Sequence, residues 1–249
     1  MNAIYEEDYF SVEMLNESPL LLYEAQILNI GNTLDDMISE SLNESVILEA
    51  SIKETFSKWV EIILKRLREL KKEVTKKIRS YITEIAKATA AKAEYKNVKI
   101  PVIAIKFAGG SKSTVINTGK DMHINKSEFK NEIDGAIGFV ENSVRREYKK
   151  STFEIGKNWD ETNLSMTSDE FKKTIEKMVK DVDNITNQVY KGIEDIEKYA
   201  EKNFYEENED GKTVVKDAEG ISRAKDAISY LEKLDRASYQ YLLRFIKQR

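Results

Sequence analysis

Residues 51–85 read SIKETFSKWVEIILKRLRELKKEVTKKIRSYITEI. Within them Phe56, Val60, Ile63, Leu67, Leu70 and Val74 recur at spacings of 4, 3, 4, 3 and 4. Side chains at that interval line one face of a helix and form a heptad-type seam. After a slip the seam continues through Ile78, Ile82 and Ile85, and Ala86–Ala93 adds five alanines, which are strong helix formers. The pattern predicts one helix of about forty residues, roughly 60 Å long at ~1.5 Å per residue. One apolar stripe cannot be buried by its own helix, so this stretch requires partners.

The rest of the chain offers them. Ser127-Glu128 opens a second seam with Phe129, Ile133, Ile137, Val140 and Val144. Ser168-Asp169 opens a third, with Phe171, Ile175, Met178, Val182, Ile185, Val189, Ile193 and Ile196. The last helix carries Ile221, Ala224, Ile228, Leu231, Leu234, Tyr241, Leu242 and Phe245. A looser helix is expected over Leu20–Ser41, with Leu21, Ile27, Leu28, Leu34 and Ile38 as its apolar face. Ser18 is its candidate N-cap, Pro19 lies near its start, and Gly31-Asn32 is expected to interrupt it. Between the helices, β-branched residues from Val98 to Ile116 surround Gly109-Gly110, a hairpin signal, and Pro101 points to an edge strand. Asn203–Lys216 reads as a polar turn. The fold expected is mainly α: an elongated antiparallel helical bundle with a small β-hairpin insertion at about residues 98–118.

The composition agrees. Of 249 residues, 34% are charged and 41% hydrophobic, with two Pro and ten Gly, which excludes a collagen-like chain and argues against a sandwich. There is no Cys, so disulfides and thiolate chemistry are excluded. A single histidine, His123, excludes His-rich metal sites and argues against His-based catalysis. No apolar run reaches the ~18 residues of a membrane span. Acids stand near the N-terminus where a secretory signal would carry bases, so no such signal is expected.

Charge is sharply segregated. Residues 1–50 contain eleven acids and no Lys or Arg, whereas residues 51–100 contain fourteen bases and six acids. The net charge of −4 would become +7 without the first 49 residues. Eight bases fall within fifteen residues of the long helix: Lys65, Arg66, Arg68, Lys71, Lys72, Lys76, Lys77 and Arg79. They are the candidate phosphate-contacting residues, able to neutralise a nucleic-acid backbone without reading its sequence. A solvated bundle face is the structural alternative. An interfacial membrane helix is another, because Phe56, Trp59 and Ile62-Ile63-Leu64 adjoin the bases.

No other constellation carries chemistry. Gly109-Gly110-Ser111-Lys112-Ser113 lacks the full phosphate-loop spacing and is read as a turn. Asn208-Glu209-Asp210-Gly211 is not followed by a calcium-loop pattern. No catalytic residue, metal ligand or cofactor is expected, and the chain is read as a non-enzyme.

A repeated tripeptide, Leu or Ile followed by any residue and then Glu, ends at Glu6, Glu17, Glu24, Glu40, Glu44 and Glu49. The other 199 residues hold three more, ending at Glu54, Glu69 and Glu84. The tripeptide resembles the cleavage signal read by prohead proteases of tailed bacteriophages. The charge layout is similar to that of their internal head and core proteins, an acidic propeptide ahead of a helical basic body. The charge layout by itself leaves two readings of 1–49, an acidic helix that simply lies against the basic helix or a separate module that masks the basic body. The resemblance implies cleavage after Glu24 or Glu49, each followed by Ala, which would make 1–49 a propeptide ahead of the bundle at 50–249. It also implies a structural or assembly protein of a phage particle, sited in the virion or the host cytoplasm. Its partners would be other virion proteins, further copies of itself and non-specific DNA, with membrane contact the lesser expectation. The alternatives are a membrane-active or host-interacting helical protein and an intracellular helical adaptor or inhibitor.

Overall fold

The computed structural model describes residues 18–43, 51–90, 94–99, 101, 103–106, 114–115, 117–118, 123–124, 126–142, 148, 152–155, 164–209, 211 and 213–247. Among them the chain is mainly helical. The helices are α1 (Ser18–Asn43), α2 (Ser51–Ala90), α3 (Lys126–Asn142), α4 (Ser168–Asn203) and α5 (Ala218–Ile246). The strands are short: β1 (Glu94–Val98), β2 (Ile103–Lys106), β3 (Thr114–Val115), β4 (Asn117–Thr118), β5 (His123–Ile124), β6 (Thr152–Ile155), β7 (Leu164–Thr167), β8 (Tyr205–Glu207) and β9 (Thr213–Val215). Two compact units result, one from Met1–Lys72 with Ala200–Ser222, the other from Glu73–Tyr199 with Arg223–Arg249. The charge boundary near Glu49 is therefore not a boundary between units.

The seams are largely buried as their spacing dictates, with Ile82 of α2 and Ile137 of α3 only half-buried. Phe56, Val60, Ile63, Leu67, Leu70, Val74, Ile78 and Ile85 of α2 are all buried, as are the eight seam residues of α4 from Phe171 to Ile196. Helix starts follow local chemistry. Thr167 and Glu170 form a capping box: the Thr167 amide donates to Glu170 Oε2 at 2.8 Å, and the Glu170 amide donates to Thr167 Oγ1 at 3.3 Å. The Thr167 amide, and then the Thr167 hydroxyl donating to the same Oε2 at 2.9 Å, hold the Glu170 carboxyl below its ordinary range. Asp217 caps α5 by accepting from the Gly220 amide at 2.7 Å.

In the second unit α4 and α5 run antiparallel. Phe171 stacks on Phe245 with ring centroids 5.0 Å apart, and Thr186 meets Asp235 and Tyr239 further along. Helix α3 runs alongside α4 in the same direction, since Lys126 pairs with Asp181 and the Tyr199 hydroxyl donates to the Glu141 carbonyl. Gly192 permits the close approach: a Cβ there would stand 3.0 Å from Ile133 Cγ2 and 3.3 Å from Leu231 Cδ1. A polar layer interrupts the apolar core between α4 and α5. The Thr186 hydroxyl donates to Asp235 Oδ1 at 2.6 Å, with the Tyr239 hydroxyl 2.9 Å away. Burial, and then the Asp235 charge, holds the Tyr239 phenol protonated well above its ordinary range.

Four expectations are corrected. Helix α1 is continuous through Gly31-Asn32, with Gly31 buried against the rest of the fold. The expected hairpin exists, Ala104 opposite Val115 and Ile105 opposite Thr114, but β6 adds a third strand to it from far along the chain. Pro101 lies between β1 and β2 rather than in a strand, consistent with its missing N–H. Asn203–Lys216 is not merely a turn: β8 and β9 pair as a hairpin, with Gly211 at φ +73 between them. β1 pairs with β7 between residues 66 or more positions apart, a long-range register that local pattern cannot show.

Replacing Thr186 by Val should destabilise the protein by about 1–3 kcal/mol, because it takes a hydroxyl from a fully buried carboxylate. Thr186→Ser keeps that hydroxyl and should cost clearly less. Urea unfolding of the three chains checks the order.

Candidate nucleic-acid interface

Helix α2 sorts its eight candidate bases by their angle from the seam. Lys65, Arg68, Lys72, Lys76 and Arg79 follow one another at spacings of 3, 4, 4 and 3, and all five are exposed. They form one stripe opposite the buried seam, about 21 Å long at ~1.5 Å per residue. Lys71 and Lys77 lie at the helix flanks and are half-buried. Arg66 stands about 100° around from Lys65, and only 4% of it is exposed. It is therefore removed from the phosphate-contacting set, because its guanidinium faces protein.

Three stripe lysines hold carboxylates of the same helix. Lys65 meets Glu61 at 2.7 Å, Lys72 meets Glu69 at 3.4 Å and Lys76 meets Glu73 at 4.0 Å. The hydrogen bond from Lys65, then its charge, holds the Glu61 carboxyl below its ordinary range, and Lys65 is raised in return. Exposed pairs of this kind are weak and screened by salt. They orient the lysines without removing them from an incoming anion. The side chains of Lys72 and Lys76 are 72% and 80% exposed.

The acidic helix packs on a different flank of α2. The Trp59 indole donates through Nε1 to the Ile27 carbonyl at 3.2 Å, and the Arg66 guanidinium donates to Glu24 Oε1 at 3.1 Å. Trp59 and Arg66 are one heptad apart, so both contacts fall on one side of α2. Leu34 and Ile38 are the buried apolar side chains of α1. Leu28, assigned by spacing to the apolar face, is instead 61% exposed, and so is Leu22 at 59%. Leu28 was not recognisable as a surface residue because a leucine-rich helix offers several apolar arcs, and only the partner selects one.

Glu24 lies within α1 with its carboxylate on Arg66, so cleavage at Glu24–Ala25 requires that helix to open, since proteases take extended chain. Glu49 and Ala50 lie outside the described residues, as do Gly109–Ser113. The apolar residues that suggested a membrane helix, Phe56, Trp59, Ile62, Ile63 and Leu64, are all buried. No helix among the described residues is long and apolar enough to cross a membrane. Nor does any group of three or more His, Asp or Glu among them form a metal-holding set. His123 occupies β5, opposite Thr118. Comparison of the chain with protein-family models, with curated proteins and with solved structures gives no match.

Two nearby arginines should respond oppositely to truncation. Arg66→Ala should cost roughly 1.5–3 kcal/mol of stability, since it strips a charge-assisted bond from the α1–α2 contact. Arg68→Ala should stay within about 0.5 kcal/mol of the parent, as exposed substitutions do. Urea or thermal unfolding distinguishes them.

Proposed function

We propose that this chain is a non-enzymatic structural and assembly protein that contacts nucleic-acid phosphates through the outer face of α2, without reading base sequence. The observation that carries the proposal is the stripe Lys65, Arg68, Lys72, Lys76 and Arg79, exposed on one face of a continuous helix. A row of cations about one helical turn apart presents point charges to a phosphate backbone and releases its counterions. Exposed cations set singly about a turn apart suit phosphates spaced along a backbone, and phosphate contacts carry no sequence information. The charge layout and the Leu/Ile-x-Glu tripeptides support a particle of a tailed bacteriophage as the setting, in the virion or in the host cytoplasm. In that setting Glu49–Ala50 is the favoured processing junction, because a cut there removes eleven acids and spares α2.

Binding of the full chain to duplex DNA of unrelated sequences should be similar, and should weaken steeply between about 50 and 200 mM salt. Five phosphate contacts give a log–log salt slope near −4.5, and fewer contacts a shallower one. The triple substitution Arg68→Ala, Lys72→Ala, Lys76→Ala should reduce that slope by about 2–3. Lys173→Ala, an exposed lysine on α4, should leave it unchanged. Binding indifferent to salt, or to the triple substitution, refutes the reading.

Processing has its own measurement. Intact mass and N-terminal sequencing of native material should find a chain beginning at Ala50. A chain that retains Met1 or Asn2 in assembled material rules processing out and leaves the phosphate contact untouched.

A further inference from the structure

Among the described residues two large apolar side chains are exposed, and both belong to α1: Leu22 and Leu28. Exposed leucines scattered singly need no explanation. These two share one helix, six residues apart, and α1 contains no Lys or Arg in its 26 residues. Asp36 and Glu40 are exposed on the same side, so all four residues fall within about 120° of arc at ~100° per residue. The outward face of α1 is therefore apolar in its first half and acidic in its second.

The outward face of α2 is its complement, a row of five bases. Lysine and arginine carry long apolar stems beneath their charges, so such a row can cover leucines while its cations reach carboxylates. Among the described residues of the first unit, the outward face of α1 and the α2 bases Lys65, Arg68 and Lys72 are all exposed and do not meet. Helix α1 turns Leu34 and Ile38 inward and touches α2 at Trp59 and Arg66, which leaves Leu22, Leu28, Asp36 and Glu40 outward. We propose that, before any processing, the outward face of α1 docks on the basic face of α2 in a second copy of this chain, a contact that a cut at Glu49–Ala50 would end by removing α1. This deepens the assembly reading by naming its partner, and it rests on that reading only for the exposed stripe. The same stripe serves both contacts, so nucleic acid and a second copy compete for it.

The test uses the full chain in sedimentation velocity at low salt. It should self-associate at or below about 100 µM, and 0.5 M salt or added duplex DNA should dissociate it. Leu22→Ser with Leu28→Ser should weaken association by at least about tenfold while leaving DNA binding and helical circular dichroism unchanged. Asp36→Lys with Glu40→Lys, and separately Arg68→Glu with Lys72→Glu, should each abolish association. Mixing those two charge-reversed chains should restore it, because α1 of one then meets α2 of the other. A chain that remains monomeric at ~100 µM, or whose association ignores the leucine and acid substitutions, overturns the proposal. Should that chain still bind DNA through the stripe, the preceding reading stands alone. Should association respond to salt and to the substitutions as described while duplex DNA neither binds nor dissociates it, the preceding reading falls and the self-contact remains.

Discussion

Arg66 is only 4% exposed, so its guanidinium has lost most of its water and needs a carboxylate or carbonyl in return. Arg66 receives Glu24 at 3.1 Å, and one heptad earlier the Trp59 indole receives the Ile27 carbonyl at 3.2 Å. Two directional bonds about 10 Å apart along α2 (at ~1.5 Å per residue) fix how α1 lies on it and how each helix is rotated about its axis. Apolar packing alone would not do so, since hydrophobic attraction is non-directional. Once that rotation is set, so is every outward residue. Lys65, Arg68, Lys72, Lys76 and Arg79 face solvent on one helix, and Leu22, Leu28, Asp36 and Glu40 on the other. Both proposed contacts are consequences of this clamp.

The second unit uses the same device with different groups. Asp235, Thr186 and Tyr239 form a buried polar layer between antiparallel helices whose seams would otherwise tolerate sliding. The Tyr230 hydroxyl donates to Glu132 at 2.6 Å and does the same between α5 and α3. Such layers contribute less to stability than an equal apolar volume, and their best-attested use is to specify register. In both units the apolar seams supply the driving force and a few buried polar groups choose the alignment.

The described part of the acidic segment, α1, is a packed helix. It meets α2 on the flank of Trp59 and Arg66, away from the exposed bases. Its effect on the proposed nucleic-acid contact would then act through the long-range field, in which eleven acids offset the fourteen bases that follow. That influence is itself salt-dependent, with a screening length of about 8–10 Å near physiological ionic strength.

Sequence alone determined the helices and much of what they bury. A 3–4 spacing of apolar residues is a local property, so α2, α4 and α5 were legible from Phe56, Phe171 and Ile221 onward. The Thr167-x-x-Glu170 capping box was present in the sequence as well, a short-range signal that marks the start of α4. The β2–β3 hairpin was legible from its β-branched runs. The strands β6 and β7 were not, because each pairs with a segment about fifty or more residues away and local pattern carries no such distance. The eight bases were visible as a cluster, but their division was not. Arg66 and Arg68 are two residues apart and chemically identical, yet one is clamped beneath α1 and the other faces water. Only the tertiary structure decided that, because the angle at which α1 lies against α2 is set by contacts between residues about forty positions apart.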